Sequence, residues 1–458
     1  MIDKISSLVG EHVSKARFED LSLKAIASAK RSTLDTIGAM IAGSSAPGVD
    51  IVVNMAKGWG GTKEVLVTGF GIYLPAPAAA WCNGTMARAL EIDDCVDFLP
   101  VHPSASAVPA LFALAEQKRS ISGREYLTSL AVGQDLIIRM GLTVKKSAME
   151  TGRNNLFKIF GPTAALAHAM KFSPEEAQNA LGISFSHAVG DGQCALDGAL
   201  TLRLQQGIVA QGALLSVHLA AQGFTGAKNF LMGKWGYLKS WEPDPELEYL
   251  TFEFGEFFYG EKISIKPYSS CRATHSALDS IIALSKKHDI DVSSIKKVIV
   301  RTSPEIYNLV GFPHELKAKP DSIPTAQFSI QYTIAAALIK GDMFLKELDF
   351  ETIRDEKIGN LALRVHVESV PELRSDSILG HTELKIECEN NKTFQDKIKF
   401  PKGSPERPMS YNDCIKKFKK CIPYAFNPIT PDLVEELIDR VGNLENLQDM
   451  SQILTCLK

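Results

Sequence analysis

The sequence predicts a mainly α fold, built from a large all-helical domain and a smaller α+β domain. Three observations predict it. From about residue 20 to 240, apolar residues recur at helical spacing and short Gly or Pro loops separate the segments. After residue 262 the pattern changes to alternation, and from Pro401 helical spacing returns. The expected boundaries are residues 1–262 and 401–458 for a discontinuous helical domain, and residues 263–400 for the α+β domain.

Taken in order, MIDKISSLVGEHVSKARFEDL alternates charged and apolar residues as a surface helix does. Leu34, Ile37 and Ile41 share one helix face, and Val108, Leu111 and Ala115 share another. PAPAAAWCNGTMARAL, GPTAALAHAM and QGALLSVHLAAQG are so rich in Ala and Gly that helix backbones can approach closely. GFGIYLP near Gly69 reads as a glycine-rich turn. In FSPEEAQNALG, Ser173 is the expected N-cap, with Pro174 at the first helical position and Glu176 closing a capping box. Strand spacing is read at Ile263 and Ile265, at Val298 and Val300, and along Leu361, Leu363, Val365 and Val367. ELKIECENNKTFQDKIKF reads as two strands joined near Asn390 and Asn391, while HSALDSIIALSKKH and QYTIAAALIKG read as helices. SYNDCIKKFKKC and TPDLVEELIDRVGNLENL supply the closing helices.

A length of 458 residues suggests at least two folding units, and 45% hydrophobic with 22% charged residues is ordinary for a globular chain. A net charge of -3 gives no basic field for nucleic acid. No stretch reaches the roughly 20 apolar residues that a membrane span needs, so a soluble protein without a membrane partner is expected. Eight cysteines lie scattered without a CxxC pair, and no signal peptide is read before them, which together suggest reduced thiols in a cytoplasm. Neither GxGxxG nor GxxxxGK[ST] occurs, so no nucleotide cofactor is expected.

Two clusters can carry chemistry. ARALEIDDCVDFLPVHPSAS packs Glu91, Asp93, Asp94, Asp97 and His102 between the end of one helix near Arg88 and the start of another at Pro103. A histidine so placed suits general acid–base work near neutrality. The plainer reading is a polar loop whose acids cap the next helix and pair with Arg88; a carboxylate-rich metal site is a third. In IKPYSSCRATHSALDS, Lys266, Tyr268, Arg272 and His275 crowd the start of a helix, a donor set suited to carboxylates. Its plainer reading is a strand-to-helix turn with solvated cations. Arg203 reads alone as a surface cation, and Arg153 with Asn154 and Asn155 is equally open. Cys95 and Cys271 beside the two clusters are alternative thiolate nucleophiles, with small buried cysteines as the plainer reading.

NGTMARALEIDDC followed by HPSASAVPALFALAEQ resembles the family that contains 2-methylcitrate dehydratase (PrpD and MmgE), cis-aconitate decarboxylase and iminodisuccinate epimerase. Further matches follow in order: GQDLIIRMG, GPTAALAHAMKFSPEEAQNALGIS, QQGIVAQGALLSVHLAAQGFTG, IKPYSSCRATHSALD and FSIQYTIAAALIKGD. The resemblance covers nearly the whole chain. It implies the α+β domain as an insertion before the last helices, a homodimer, and chemistry on a small polycarboxylate without cofactor or metal. It places His102 and Lys266 in a cleft between domains, with Asp93 and Asp94 as an acidic pair. Glu91 stands where the family usually has aspartate, and Cys95 where it has threonine. Asn154 or Asn155 replaces a histidine, Leu202 replaces the lysine before Arg203, and Gln205 replaces another histidine. The family's reactions build charge beside a carboxylate. The expected roles are therefore proton transfer by His102, aided by Asp93 and Glu91, and charge stabilisation by Lys266. Arg272, Tyr268, Arg203, Cys95 and Asn155 are the expected substrate contacts. A lyase that dehydrates or decarboxylates is the leading expectation, followed by an epimerase of a dicarboxylate and then a non-catalytic member whose cleft has decayed.

Overall fold

The computed structural model describes residues 4–144, 152, 155–374 and 379–457. It divides into two units, one formed by Met1–Ile263 with Ser410–Lys458 and the other by Ser264–Met409. The fold is mainly α, with its strands confined to two small sheets.

In the first unit, α1 (Ile5–Lys15) buries Ile5, Val9 and Val13 at four-residue spacing. α2 (Leu23–Gly43) starts at Ser22, whose hydroxyl accepts from the Ala25 N–H, and is buried over most of its length. After α3 (Val49–Gly58) comes an antiparallel hairpin, β1 (Val65–Val67) and β2 (Ile72–Leu74). GFGIYLP is thus a turn plus a strand, and not a turn alone. Strands of three residues are too short for alternation to show in sequence. Gly69 turns the hairpin at a positive φ of 78°, and a Cβ there would sit 2.8 Å from Ser44 Oγ.

α4 (Ala76–Arg88), α5 (Ser104–Lys118), α6 (Gly123–Thr143), α7 (Phe160–Ala169), α8 (Pro174–Ser184) and α9 (Thr201–Ala221) complete the bundle. Ser173 caps α8, with Pro174 next and Glu176 closing the box, as the sequence predicts; Ser122 and Glu125 do the same for α6. Each cap contributes about 1 kcal/mol. Where α4 crosses α9 the backbones nearly touch. A Cβ on Gly207 would lie 2.3 Å from both Thr85 Oγ1 and the Trp81 carbonyl, and one on Gly84 would lie 3.0 Å from the Gln206 carbonyl. The Ala and Gly content of both segments serves this approach.

The second unit holds a four-stranded sheet in the order β4, β3, β5, β6. α10 (His275–His288) leads to β3 (Ile295–Thr302); α11 (Ile330–Lys340) ends on Gly341 in the left-handed conformation. α12 (Glu356–Ala362) then precedes β4 (Val365–Ser369), parallel to β3. β5 (Thr382–Cys388) pairs antiparallel with β3 and with β6 (Thr393–Ile398), joined through Asn391 at φ 62°. Thr382, Leu384, Ile386 and Cys388 face inward in strict alternation. Ala277, Leu278 and Ile281 of α10 share that core with Val298 and Val300.

Two strand expectations fail. Leu361 lies in α12, because Asp355 caps a helix that buries Ile358, Leu361 and Ala362 at helical spacing, and the strand begins only at Val365. Ile263 and Ile265 belong to no named strand; Ile265 makes one backbone bond to Gly403, and Pro267 has no N–H with which to continue a ladder.

α13 (Tyr411–Cys421) and α14 (Pro431–Gly442) belong to the first unit. α13 buries Cys414, Lys417, Phe418 and Cys421, and Gly38 of α2 gives Phe418 its room: a Cβ there would meet the ring at 3.1 Å. No helix among the described residues is long and apolar enough to cross a membrane. The eight cysteines are all buried.

Candidate active site

The acid-rich loop hangs between the end of α4 and the start of α5. Arg88, at the last position of α4, is buried and pairs with Glu91 through Nη2, and with Asp93 through Nη1 at 3.4 Å. Glu91 reaches back three residues by taking φ 56°, a left-handed conformation costing about 1 kcal/mol or more for a residue with a side chain. Beneath the loop, Lys417 of α13 donates to the Ile92 carbonyl and to Asp35 of α2.

His102 closes the loop. Its Nδ1 lies 2.9 Å from Asp93 Oδ2 and 3.0 Å from the Asp94 carbonyl. Both partners are acceptors, so Nδ1 carries the proton, and in the neutral ring Nε2 holds the lone pair. The Asp93 side chain is 0% exposed and the His102 side chain 19%, so the histidine is the member of the pair a small molecule can reach. The arrangement is a carboxylate orienting an imidazole, as general acid–base catalysis requires.

Asp94 is turned to a different task. Its Oδ1 accepts from the Ser104 N–H at 3.1 Å and its Oδ2 from the Ser104 hydroxyl, while Gln134 donates to that hydroxyl at 2.9 Å. It therefore caps α5, as the plainer reading of the loop requires. Burial pushes its carboxyl up to about 7, the charges of Asp35 and Asp93 add to the rise, and the Ser104 hydrogen bond opposes it. One loop thus fits the structural reading and the catalytic one together.

Other expected residues gather here. Asn155, at φ 42°, donates to the Pro100 carbonyl and so ties its segment to the loop. Arg203 of α9 is half-buried, not the surface cation it resembles in isolation. Its Nη1 donates to the Pro47 carbonyl at 2.9 Å; burial and then Arg88 push its guanidinium down to about 10, against Glu91. Cys95 is buried beside the acids. Arg153 and Asn154 lie outside the described residues.

The second cluster lies in the other unit. Lys266 is 1% exposed. The Tyr268 hydroxyl donates to Asp279 at 2.8 Å, and burial with the Asp279 charge pushes the phenol up. Arg272 donates to the Lys402 carbonyl at 2.8 Å and the Pro401 carbonyl at 3.4 Å, and lies 3.2 Å from His275 Nδ1. Asp279 also accepts from Arg407 at 3.3 Å. Arg272 thus binds its own chain at Pro401 and Lys402, and Tyr268 reaches that segment only through Asp279.

Reading the sequence alone missed Lys158, Lys417 and Asp35. Lys158 had a signal, as the one cation in the apolar run LFKIFG. Lys417 had another: it falls among Cys414, Phe418 and Cys421 on the apolar face of its helix.

A family model described as the MmgE/PrpD N-terminal domain matches residues 9–250, and the MmgE/PrpD C-terminal domain matches residues 268–441. A cis-aconitate decarboxylase from Aspergillus terreus is 26% identical over 476 residues, covering 99% of this chain and 96% of the relative. The cis-aconitate decarboxylase of Homo sapiens is 26% identical, over 100% of this chain and 95% of its own length. That of Mus musculus is 25% identical, over 94% and 88%.

Proposed function

The chain belongs to the MmgE/PrpD family, and from that premise we propose a lyase that removes carbon dioxide or water from a small di- or tricarboxylate, with His102 moving the proton. The observation that carries this reading is the His102–Asp93 pair at 2.9 Å, a reachable imidazole held in one tautomer by a buried carboxylate. In a decarboxylation, the carbon–carbon bond to the departing carboxylate breaks, carbon dioxide leaves, and the electron pair stays on carbon until the His102 imidazolium delivers a proton to it. In a dehydration, Nε2 takes the proton from carbon next to a carboxylate, the electron pair forms the double bond, and the hydroxyl departs as water with the proton that the imidazolium gives back. Both routes gather enolate-like charge that nearby cations must offset. Glu91 and Asp93 neutralise Arg88, so Arg203 is the cation of this unit proposed for the substrate's carboxylates. The names of the relatives make cis-aconitate the first acid to test.

Proton NMR of the purified protein in deuterated water, with cis-aconitate, 2-methylcitrate and iminodisuccinate, tests the proposal. New vinylic signals are expected from at least one acid. Deuterium exchange at one carbon without net conversion would mark an epimerase instead, and unchanged spectra with every acid would contradict the lyase reading.

A further inference from the structure

Lys158 lies in the short turn Leu156–Ile159 and is 3% exposed. Its hydrogen bond among the described residues is to Gln205 Oε1 at 2.8 Å, a neutral acceptor. The amide nitrogen of Gln205 is spent on the Asp191 carbonyl at 3.0 Å, the Asp191 carboxylate at 3.2 Å and Cys194 Sγ at 3.2 Å. The charged and titratable groups acting on Lys158 are Cys194 and Asp191 from the segment before α9, and Arg88 from α4. Burial first, then Arg88, push its ammonium down to about 7, while Cys194 and Asp191 resist.

Arg203, half-buried, is in a related position. It too is desolvated, feels Arg88, and hydrogen-bonds a neutral oxygen, the Pro47 carbonyl. Asn155 ties the segment of Lys158 to the loop that ends at His102, and Gln205, the acceptor for Lys158, stands two residues after Arg203 on α9. Among the described residues Arg88 has carboxylate ion pairs, whereas Asp191 acts on Lys158 and Glu91 on Arg203 through charge, without an ion pair. A buried cation whose hydrogen bonds go to a neutral oxygen is costly, and a bound anion would relieve it.

We propose that Lys158 and Arg203 form a carboxylate-binding subsite. On this account Lys158 takes up a proton when the anion arrives. The proposal rests on the polycarboxylate reading above and adds to it a residue and a proton. Lysine and arginine together give a point charge and a planar fork, a pairing suited to one carboxylate of a di- or tricarboxylate. The depressed lysine lowers the cost of the empty site, because it can stay neutral until its counter-charge binds.

Calorimetric titration of the full-length protein with tricarballylate, an unreactive tricarboxylate, at pH 8 in two buffers of different ionisation enthalpy reads both affinity and proton uptake. The wild-type protein is expected to take up close to one proton. K158M removes a charged hydrogen bond and should bind about tenfold more weakly or worse, with that uptake lost. Replacing a buried charge by an apolar side chain of similar volume should not unfold the protein, which circular dichroism checks. K158R, whose guanidinium is always charged, should keep most of the affinity but lose the uptake. Equal affinity and equal uptake in wild type and folded K158M would overturn the subsite alone; no binding by the wild-type protein would overturn the polycarboxylate reading with it.

Discussion

Asp93 and Asp94 are neighbours in the chain and equally buried, and their partners separate their roles. Asp93 meets Arg88 and His102, so its charge is matched. Asp94 meets Ser104 while the charges of Asp35 and Asp93 push against it, and it holds its proton up to about 7. Its folded value is raised above the unfolded 3.8. The native state therefore binds the proton more firmly, and the resulting stability is full below about pH 4 and lost as pH rises to about 7. D94N keeps a neutral, hydrogen-bonding side chain there and escapes that loss. The melting temperature of D94N minus that of the wild-type protein should rise from pH 5 to pH 8, and a gap that does not change with pH would contradict the assignment. The acid cluster, His102 and the helix start at Pro103 were legible in sequence. The division of labour between the two aspartates was not, because it depends on Asp35, Ser104 and Gln134, which approach only on folding.

Among the elements, the crossing of α4 and α9 has the most direct bearing on the site. Gly84 and Gly207 let the backbones meet, and Arg88 and Arg203 lie one turn away from that meeting point on their respective helices. G207A would place a methyl group 2.3 Å from Thr85 Oγ1 and from the Trp81 carbonyl, and neither helix can yield without moving. A cost of about 1–3 kcal/mol is expected, seen as a lower melting temperature together with weaker polycarboxylate binding as Arg203 is displaced. A variant that melts and binds like the wild-type protein would show that the crossing is looser than its geometry. The small-residue texture announced close helix approach in advance; which two helices meet was not legible. Where expectations failed, a local rule was overridden by another. Alternation at Leu361 and Leu363 lost to the Asp355 cap, and the alternation at Ile265 met the missing N–H of Pro267.

At the scale of the molecule, the chain returns to its first unit after residue 409. That return supplies Lys417, which fixes both Asp35 and the Ile92 carbonyl under the acid-rich loop from more than 300 residues away. Periodicity and capping report on neighbours in sequence, which is why helices and most strands were legible while the ion pairs that hold the site were not. Lys158 belongs to the same class: its burial depends on Gln205, Asp191 and Cys194, all distant from it in the chain. The whole arrangement converges on one imidazole. Turnover of H102Q, measured on whichever acid the wild-type protein converts and with folding checked by circular dichroism, tests that convergence most directly. Loss of roughly 10²–10⁴-fold in kcat is expected if His102 moves the proton; a folded H102Q that turns over as fast as the wild-type protein would contradict it.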